Sequence, residues 1–150
     1  MSEIVHGAGG LLYYDGANLN AILGKALPGD MGFDVIHVNL HKTFSQPHGG
    51  GGPGSGPIGV KSHLSEFLPS PIVKRRPILP DDIGAVDNEW WYTWFEPTKT
   101  IGKVQQWHGN AGAVVRCWAF YRRYGHTLQQ MTEHAVLNAN YLRYRIKEYA

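Results

Sequence analysis

Between Gly9-Gly10 and Asp15-Gly16 the chain carries a short apolar burst, Leu11 to Tyr14. A run of that length between turn residues predicts a buried strand, here one that ends at an aspartate. Leu19, Ile22 and Leu23 follow before Gly24, the pattern of a turn or short helix. The segment from Asp34 to Leu40 is mostly apolar and predicts a second strand, as expected where both faces of a parallel sheet are covered. Its end delivers His41, Lys42 and Thr43. Ile58 to Lys61 predicts a third strand beyond a glycine loop at 49–57. Pro69, Pro71, Pro77 and Pro80 interrupt residues 69–88, which read as a long surface connection. Glu89 to Phe95, with three tryptophans, predicts an extended segment.

From Ile101 the spacing turns helical, with Val104, Trp107, Ala111, Val114, Trp118 and Tyr121 on one side and Gly125 as the stop. Gly109 and Gly112 lie inside this stretch, each costing about 1 kcal/mol against alanine in a helix. Thr127 to Gln130 has the form of a capping box, and Leu128, Met131, Ala135, Ala139, Leu142, Ile146 and Tyr149 recur at threes and fours after it. Strands first and helices after predict part of an α/β sheet with helical packing.

Composition narrows the class. A chain of 150 residues is long enough to bury a core without disulfides or metal. The formal charge of +2 and the scatter of basic residues make a poor footprint for nucleic acid. No apolar run approaches the roughly 18 residues of a membrane span, and MSEIVHGAGG lacks the layout of a signal peptide. The expectation is therefore a cytoplasmic protein, or one of an organelle matrix, without nucleic acid or membrane partners. The single cysteine, Cys117, beside Trp118, reads as a buried structural thiol.

The loop itself suggests a nucleotide. Gly54-Ser-Gly56-Pro-Ile-Gly59 matches G-x-G-x-x-G, but that fingerprint needs a helix whose first amides face the pyrophosphate. Here Pro57 and β-favouring Ile58 and Val60 follow instead. A P-loop also fails, because Val60 stands where the lysine must follow the last glycine. A metal is disfavoured too. His37 and His41, four apart in a strand, stand roughly 13 Å apart at about 3.3 Å per residue, against zinc bonds near 2 Å. His63, His108, His126 and His134 read as surface or helix-packing residues.

Lys42 is the sharper candidate. Open α/β sheets bind ligands outside the carboxyl ends of their strands, and Asp15 stands at the end of the other candidate parallel strand. Adjacent strands would aim an amine and a carboxylate into one crevice. That pair suits pyridoxal phosphate, which takes a Schiff-base lysine and an acid on its ring nitrogen. An amine attacks an aldehyde only when neutral, a state that desolvation favours. The plainer reading has Asp15 capping a turn and Lys42 in solvent. From the residues alone both stand.

The stretches GGLLYYDGANLNAILG, PGDMGFDVIHVNLHKTFSQPHGGGGPGSGPIGVK, EFLP, IGKVQQWHGNAGAVVR and AVLNANYLRYRI together resemble the pyridoxal phosphate dependent glycine decarboxylases, the P-proteins of the glycine cleavage system. The nearest likeness is to the second subunit of the bacterial two-subunit type, over an internal portion of it. The resemblance implies a fold type I large domain in part, with strands ending at Asp15 and Lys42, followed by two long helices. It divides one partial domain into a cofactor-site segment (1–68), a connecting segment (69–100) and a helical segment (101–150).

It further implies an oxidoreductase in which Lys42 forms the Schiff base, Asp15 binds the pyridine nitrogen, Ala17 packs on the ring, and His41 and Thr43 lie beside the cofactor. The loop residues His48, Gly50, Gly51 and Gly52 would approach the site, with no metal involved. Glycine would lose carbon dioxide and its aminomethyl group would pass to the lipoyl arm of H-protein. The expected partners are the other P-protein subunit, or missing segments of the same enzyme, and lipoylated H-protein. The earlier half of the cofactor domain and the C-terminal small domain have no counterpart here, and EWWYTWFEPTKT and QQWHGNAG depart from the usual family stretches. An alternative is a noncatalytic module that binds pyridoxal phosphate or a partner without turnover. A half-sheet with exposed apolar edges is expected to associate.

Overall fold

The computed structural model describes residues 1–48, 54–82, 90–104 and 109–149. Two compact units divide the chain: 1–61 with 110–150, and 62–109.

In the first unit, β1 (Tyr13–Gly16) pairs in parallel with β2 (Val35–Val38), and β2 pairs antiparallel with β3 (Ile58–Val60). The second and third strands fall inside their apolar runs and are shorter than them, whereas β1, as long as its run, starts two residues later and ends at Gly16. The third differs in direction from an all-parallel sheet, and among the described residues between it and β2 no helix crosses over. Two helices follow, α2 (Ala111–Tyr124) and α3 (Leu128–Ile146), making a mixed α/β architecture with small sheets.

The core is compact and sits between the sheet and α2: Leu19, Leu40, Phe44, Cys117 and Phe120 are buried together, with Tyr14, Ile22, Ile36, Val38 and Leu128 packed against them. Cys117 is the expected buried thiol, its pKa pushed up by burial. Helix α2 starts at Ala111 rather than at Ile101. Gly102 (φ +92°) and Gly109 (φ +79°) take left-handed backbone that no helix contains, and Asn110 caps the start by accepting the Ala113 N–H at 3.2 Å. The buried stripe is correspondingly Ala113, Cys117 and Phe120, while Val114 and Trp118 face outward.

The capping box at Thr127 does not form. A 3-10 turn over Gly125–Thr127 runs straight from α2 into α3, and the Thr127 hydroxyl donates back to the Tyr124 carbonyl at 3.1 Å. Along α3 only Thr132 is buried; Leu137, Tyr141, Leu142, Tyr144 and Ile146 are exposed. Thr132 donates its hydroxyl to the Leu23 carbonyl at 2.7 Å, which ties the helix to the turn before Gly24. There Gly24 (φ +75°) also admits the Gln129 backbone within 3.1 Å of where a Cβ would stand. Thr132→Val, which keeps the shape and strands that carbonyl, is expected to cost about 1 to 2 kcal/mol in urea unfolding.

A short helix, α1 (Ser2–Gly7), precedes the sheet and buries no residue. It is tethered through His6, whose Nε2 lies 2.8 Å from Oδ2 of buried Asp34. The same carboxylate accepts the Leu12 N–H at 2.8 Å. That backbone bond, then the His6 bond, holds the Asp34 pKa below its usual value. A lowered carboxylate pKa contributes stability that is present above the unfolded value of about 3.9 and is lost as pH falls through the folded value. Circular dichroism across an acid titration is therefore expected to show a transition that Asp34→Asn flattens.

In the second unit, a 3-10 helix over Ser62–Phe67 leads to β4 (Ile72–Pro77), which pairs antiparallel with β5 (Trp90–Phe95). Part of the stretch read as a connection is thus a strand. Its charged centre, Lys74-Arg75-Arg76, hides the alternation, yet Lys74 lies 4.1 Å from the Phe95 ring centroid and Arg75 lies 4.5 Å from that of Trp90. Asp82 takes two 2.7 Å hydrogen bonds from Arg76, which hold its carboxyl below the usual range.

Candidate active site

Because β1 and β2 run parallel as neighbours, the segments that leave their carboxyl ends emerge at the same end of the sheet. The register sets Asp15 opposite His37, with Tyr13 two residues earlier on the same face. The Tyr13 hydroxyl lies 2.6 Å from His37 Nδ1, and His37 Nε2 lies 3.2 Å from Asp15 Oδ1. The Ala17 N–H donates to the same Oδ1 at 3.1 Å. Asp15 thus does what the plainer reading assigned it, capping its own turn, and still presents Oδ2 to solvent, with three quarters of the side chain exposed.

Lys42 sits not on the strand but in the turn Leu40–Phe44, after β2 has ended at Val38. Leu40 and Phe44 are buried at the two ends of this turn, and the exposed Lys42 stands between them. The Lys42 N–H closes the turn on the Asn39 carbonyl at 3.2 Å, and the Thr43 hydroxyl accepts the Leu19 N–H at 2.8 Å, so the turn is tied to the chain that follows Asp15. Ser45 is the one described non-glycine residue with a left-handed φ, +57°. Lys42 lines a cleft of about 250 Å³ with Asn20, Leu23, Ser45, Met131 and Thr132. Asp15 and Ala17 do not line that cleft, and Lys42 makes no hydrogen bond or ion pair with Asp15.

His41, beside the lysine, is half-buried, and its ring meets that of His48 edge to face at 4.5 Å. Asn39 Nδ2 approaches its Nε2 at 3.4 Å, which leaves Nδ1 buried and without a partner. If Asn39 donates, neutral His41 carries its proton on Nδ1, an unsatisfied buried donor. Burial first, then His48 and the charge of Lys42, hold the His41 pKa below the usual histidine range. Gly50, Gly51 and Gly52 lie outside the described residues. The G-x-G-x-x-G letters run into β3, so no helix N-terminus stands behind them. Among the described residues no group of three or more His, Cys, Asp or Glu suits a metal ion.

No family model matches the chain. Among curated proteins it is 50% identical over 148 residues to the probable glycine dehydrogenase (decarboxylating) subunit 2 of Alkaliphilus oremlandii, covering 99% of this chain and 28% of that protein. It is similar to subunit 2 of glycine dehydrogenase (decarboxylating). The proteins of the same name from Thermococcus kodakarensis and Thermotoga maritima are 52% and 51% identical over 148 and 150 residues. The chain spans under a third of the length of these subunit 2 relatives, 28% and 29% for the latter two. Sequence reasoning did not place His37 and Tyr13 beside Asp15. The alternation Tyr13-x-Asp15 was visible, but only the strand pairing brings His37 to it.

Proposed function

We propose that the chain is the lysine-bearing portion of a glycine dehydrogenase (decarboxylating), and that it holds pyridoxal 5'-phosphate between the turn of Lys42 and the end of β1. The observation that carries this reading is the parallel pairing of β1 with β2, which sends an amine and a carboxylate out of the same sheet edge in a chain half identical to subunit 2 proteins. The donor set fits the group: a solvent-facing amine for its carbonyl carbon, an open carboxylate oxygen on Asp15 for its ring nitrogen, and the orphaned Nδ1 of His41 as a donor to an oxygen anion. When bound, the cofactor supplies an electron sink for the bond between the α-carbon of glycine and its carboxylate.

The protein's own residues then have distinct tasks. Lys42 anchors the carbonyl carbon through its amine. Asp15 keeps a proton on the ring nitrogen by offering it an ionised oxygen. Ala17 packs on the ring, Thr43 fixes the lysine turn through Leu19, and His41, with His48 beside it, meets the negative end of the ligand. The remainder of the reading is a fold type I large domain, glycine as substrate, release of carbon dioxide, and transfer of the aminomethyl group to lipoylated H-protein, in the cytoplasm. Among the described residues no helix is long and apolar enough to cross a membrane. The exposed apolar faces of α2 and α3 favour a partner subunit, or further segments of the same enzyme, as their cover.

The test is titration of the chain with pyridoxal phosphate, followed by borohydride reduction and peptide mapping. An absorbance band at about 410 to 430 nm and a reduced adduct on Lys42 are expected. A band that reduces onto other lysines, or none at any cofactor concentration, sinks the reading.

A further inference from the structure

Opposed residues of an antiparallel pair share a face, and faces alternate along each strand. The register of β4 with β5 therefore sorts the hairpin into two rows. Ile72, Lys74 and Arg76 with Phe95, Thr93 and Trp91 form one, and from it Ile72, Lys74 and Phe95 line a cleft of about 450 Å³ with Leu68. Val73, Arg75 and Pro77 with Trp94, Tyr92 and Trp90 form the other. A solvated row of an antiparallel sheet is ordinarily polar. This one holds three aromatics, a valine and a proline, with Val73 59%, Tyr92 51% and Trp94 55% exposed. Contiguous exposed apolar surface of this kind marks an interaction site.

The charge on that row is equally specific. β4 and β5 carry three bases, Lys74, Arg75 and Arg76, and no acid. Two of the bases lie in the other row, where Arg76 is taken by Asp82 and Lys74 rests over the Phe95 ring. Arg75 stands among the exposed aromatics, directly opposite Tyr92 and with its guanidinium over the Trp90 ring at 4.5 Å. A cation–π contact holds the guanidinium but occupies none of its N–H donors. Among the described residues Arg75 makes no hydrogen bond or ion pair. Such a fork matches a carboxylate through two parallel bonds. Trp, Tyr and Arg are also the side chains that most often anchor protein interfaces.

We propose that this face binds an extended segment of a partner protein, one that presents a carboxylate to Arg75 between two apolar side chains resting on Trp94 and Trp90. The spacing supports an extended ligand. Trp90, Tyr92 and Trp94 follow at every second residue, about 6.6 Å apart, which is also the repeat of side chains along one face of an extended segment. The size supports a segment rather than a globular surface. Six residues span about 20 Å and two strands about 10 Å, on the order of 200 Å² against the roughly 800 Å² per partner of a standard interface. One unengaged cation is too few for a nucleic acid backbone, which several cations must hold. The proposal needs no cofactor, and its test is independent of the one for Lys42.

The probe is an acetylated, amidated peptide, Ser-Leu-Ser-Glu-Ser-Leu-Ser, added to the full chain labelled with nitrogen-15. The indole N–H resonances of Trp90 and Trp94 and the Nε–H of Arg75 should shift saturably, while the indole of Trp118 in α2 does not. Replacing the peptide's glutamate by glutamine should weaken binding roughly ten-fold, the scale of one hydrogen bond between charged groups. Arg75→Gln should do the same. Lys74→Gln, which removes equal charge from the other row, should leave the affinity unchanged. Trp94→Ala, at an exposed site, should also weaken binding and supplies the comparison where Arg75→Gln fails to fold. Equal weakening in Arg75→Gln and Lys74→Gln would mean attraction by net charge alone and would overturn the proposal. So would equal affinity for the glutamine peptide, shifts confined to other tryptophans, or no binding at millimolar peptide. Oligothymidylate that shifts the same indoles and binds more tightly than the peptide would assign the face to nucleic acid and overturn it as well.

Discussion

Lys42→Ala is expected to abolish the reducible adduct with pyridoxal phosphate while leaving the fold intact. The turn that carries Lys42 is held at its ends by buried Leu40 and Phe44, by its own backbone bond to Asn39, and by Thr43 on Leu19. None of these involves the lysine side chain, which faces solvent and the cleft against α3. Removing it should therefore change stability by no more than about 0.5 kcal/mol, as for other surface substitutions. The chemical effect is all or none, because only a primary amine can join the carbonyl carbon. Lys42→Arg keeps the charge but should be equally inert, since a guanidinium does not deprotonate. Absorbance, borohydride reduction and peptide mapping of the three proteins, beside their melting curves, form the measurement. Adduct yield persisting in Lys42→Ala would transfer the role to another lysine.

Phe44→Ala should have the opposite profile, losing the fold and with it the site. Phe44 is 2% exposed, the lowest value in the core, with its ring 5.9 Å from Phe120 and 5.2 Å from Tyr121. Truncating a buried phenylalanine costs about 3 to 5 kcal/mol. Small domains hold roughly 5 to 15 kcal/mol in all. Among the described residues this core has few other members, Leu19, Leu40, Ala113, Cys117 and Phe120, so little remains to absorb the loss. The chain is expected to be largely unfolded at 37 °C by circular dichroism. Cys117, buried and with its pKa raised by burial, offers a second readout. Its reaction with a thiol reagent should be slow in the parent and fast in Phe44→Ala. A native spectrum with a protected thiol would mean that the core repacks around the gap.

The two outcomes bear on different levels of the molecule. Lys42 was legible in the sequence as a lysine after an apolar run, and so was Asp15 at the end of another. Their common edge was conditional on strand pairing, which residue letters do not carry. The structure makes β1 and β2 parallel neighbours, and it also moves Lys42 off the strand into a turn. A turn was hard to read there because Leu40 and Phe44, apolar for burial at its two ends, look in sequence like the strand continuing. The helices show a related limit. Periodicity placed α3 where the structure has it, but recurrence does not say which stripe finds a partner. Only Thr132 of α3 is buried in this chain.

The local chemistry of the chain therefore resides in the letters: the apolar runs that become strands, the glycines that keep α2 from starting earlier, the lone buried thiol, the aspartate in β1 and the lysine that follows β2. These are set by short-range sterics and side-chain type, which a few neighbouring residues determine. What the fold alone decided was every relation between distant residues: Asp15 against His37, Thr132 on Leu23, Asp34 on His6, and the outward faces of α2 and α3. Such contacts depend on strand register and on which surfaces meet. They become energetically defined only once the whole chain has closed around its core.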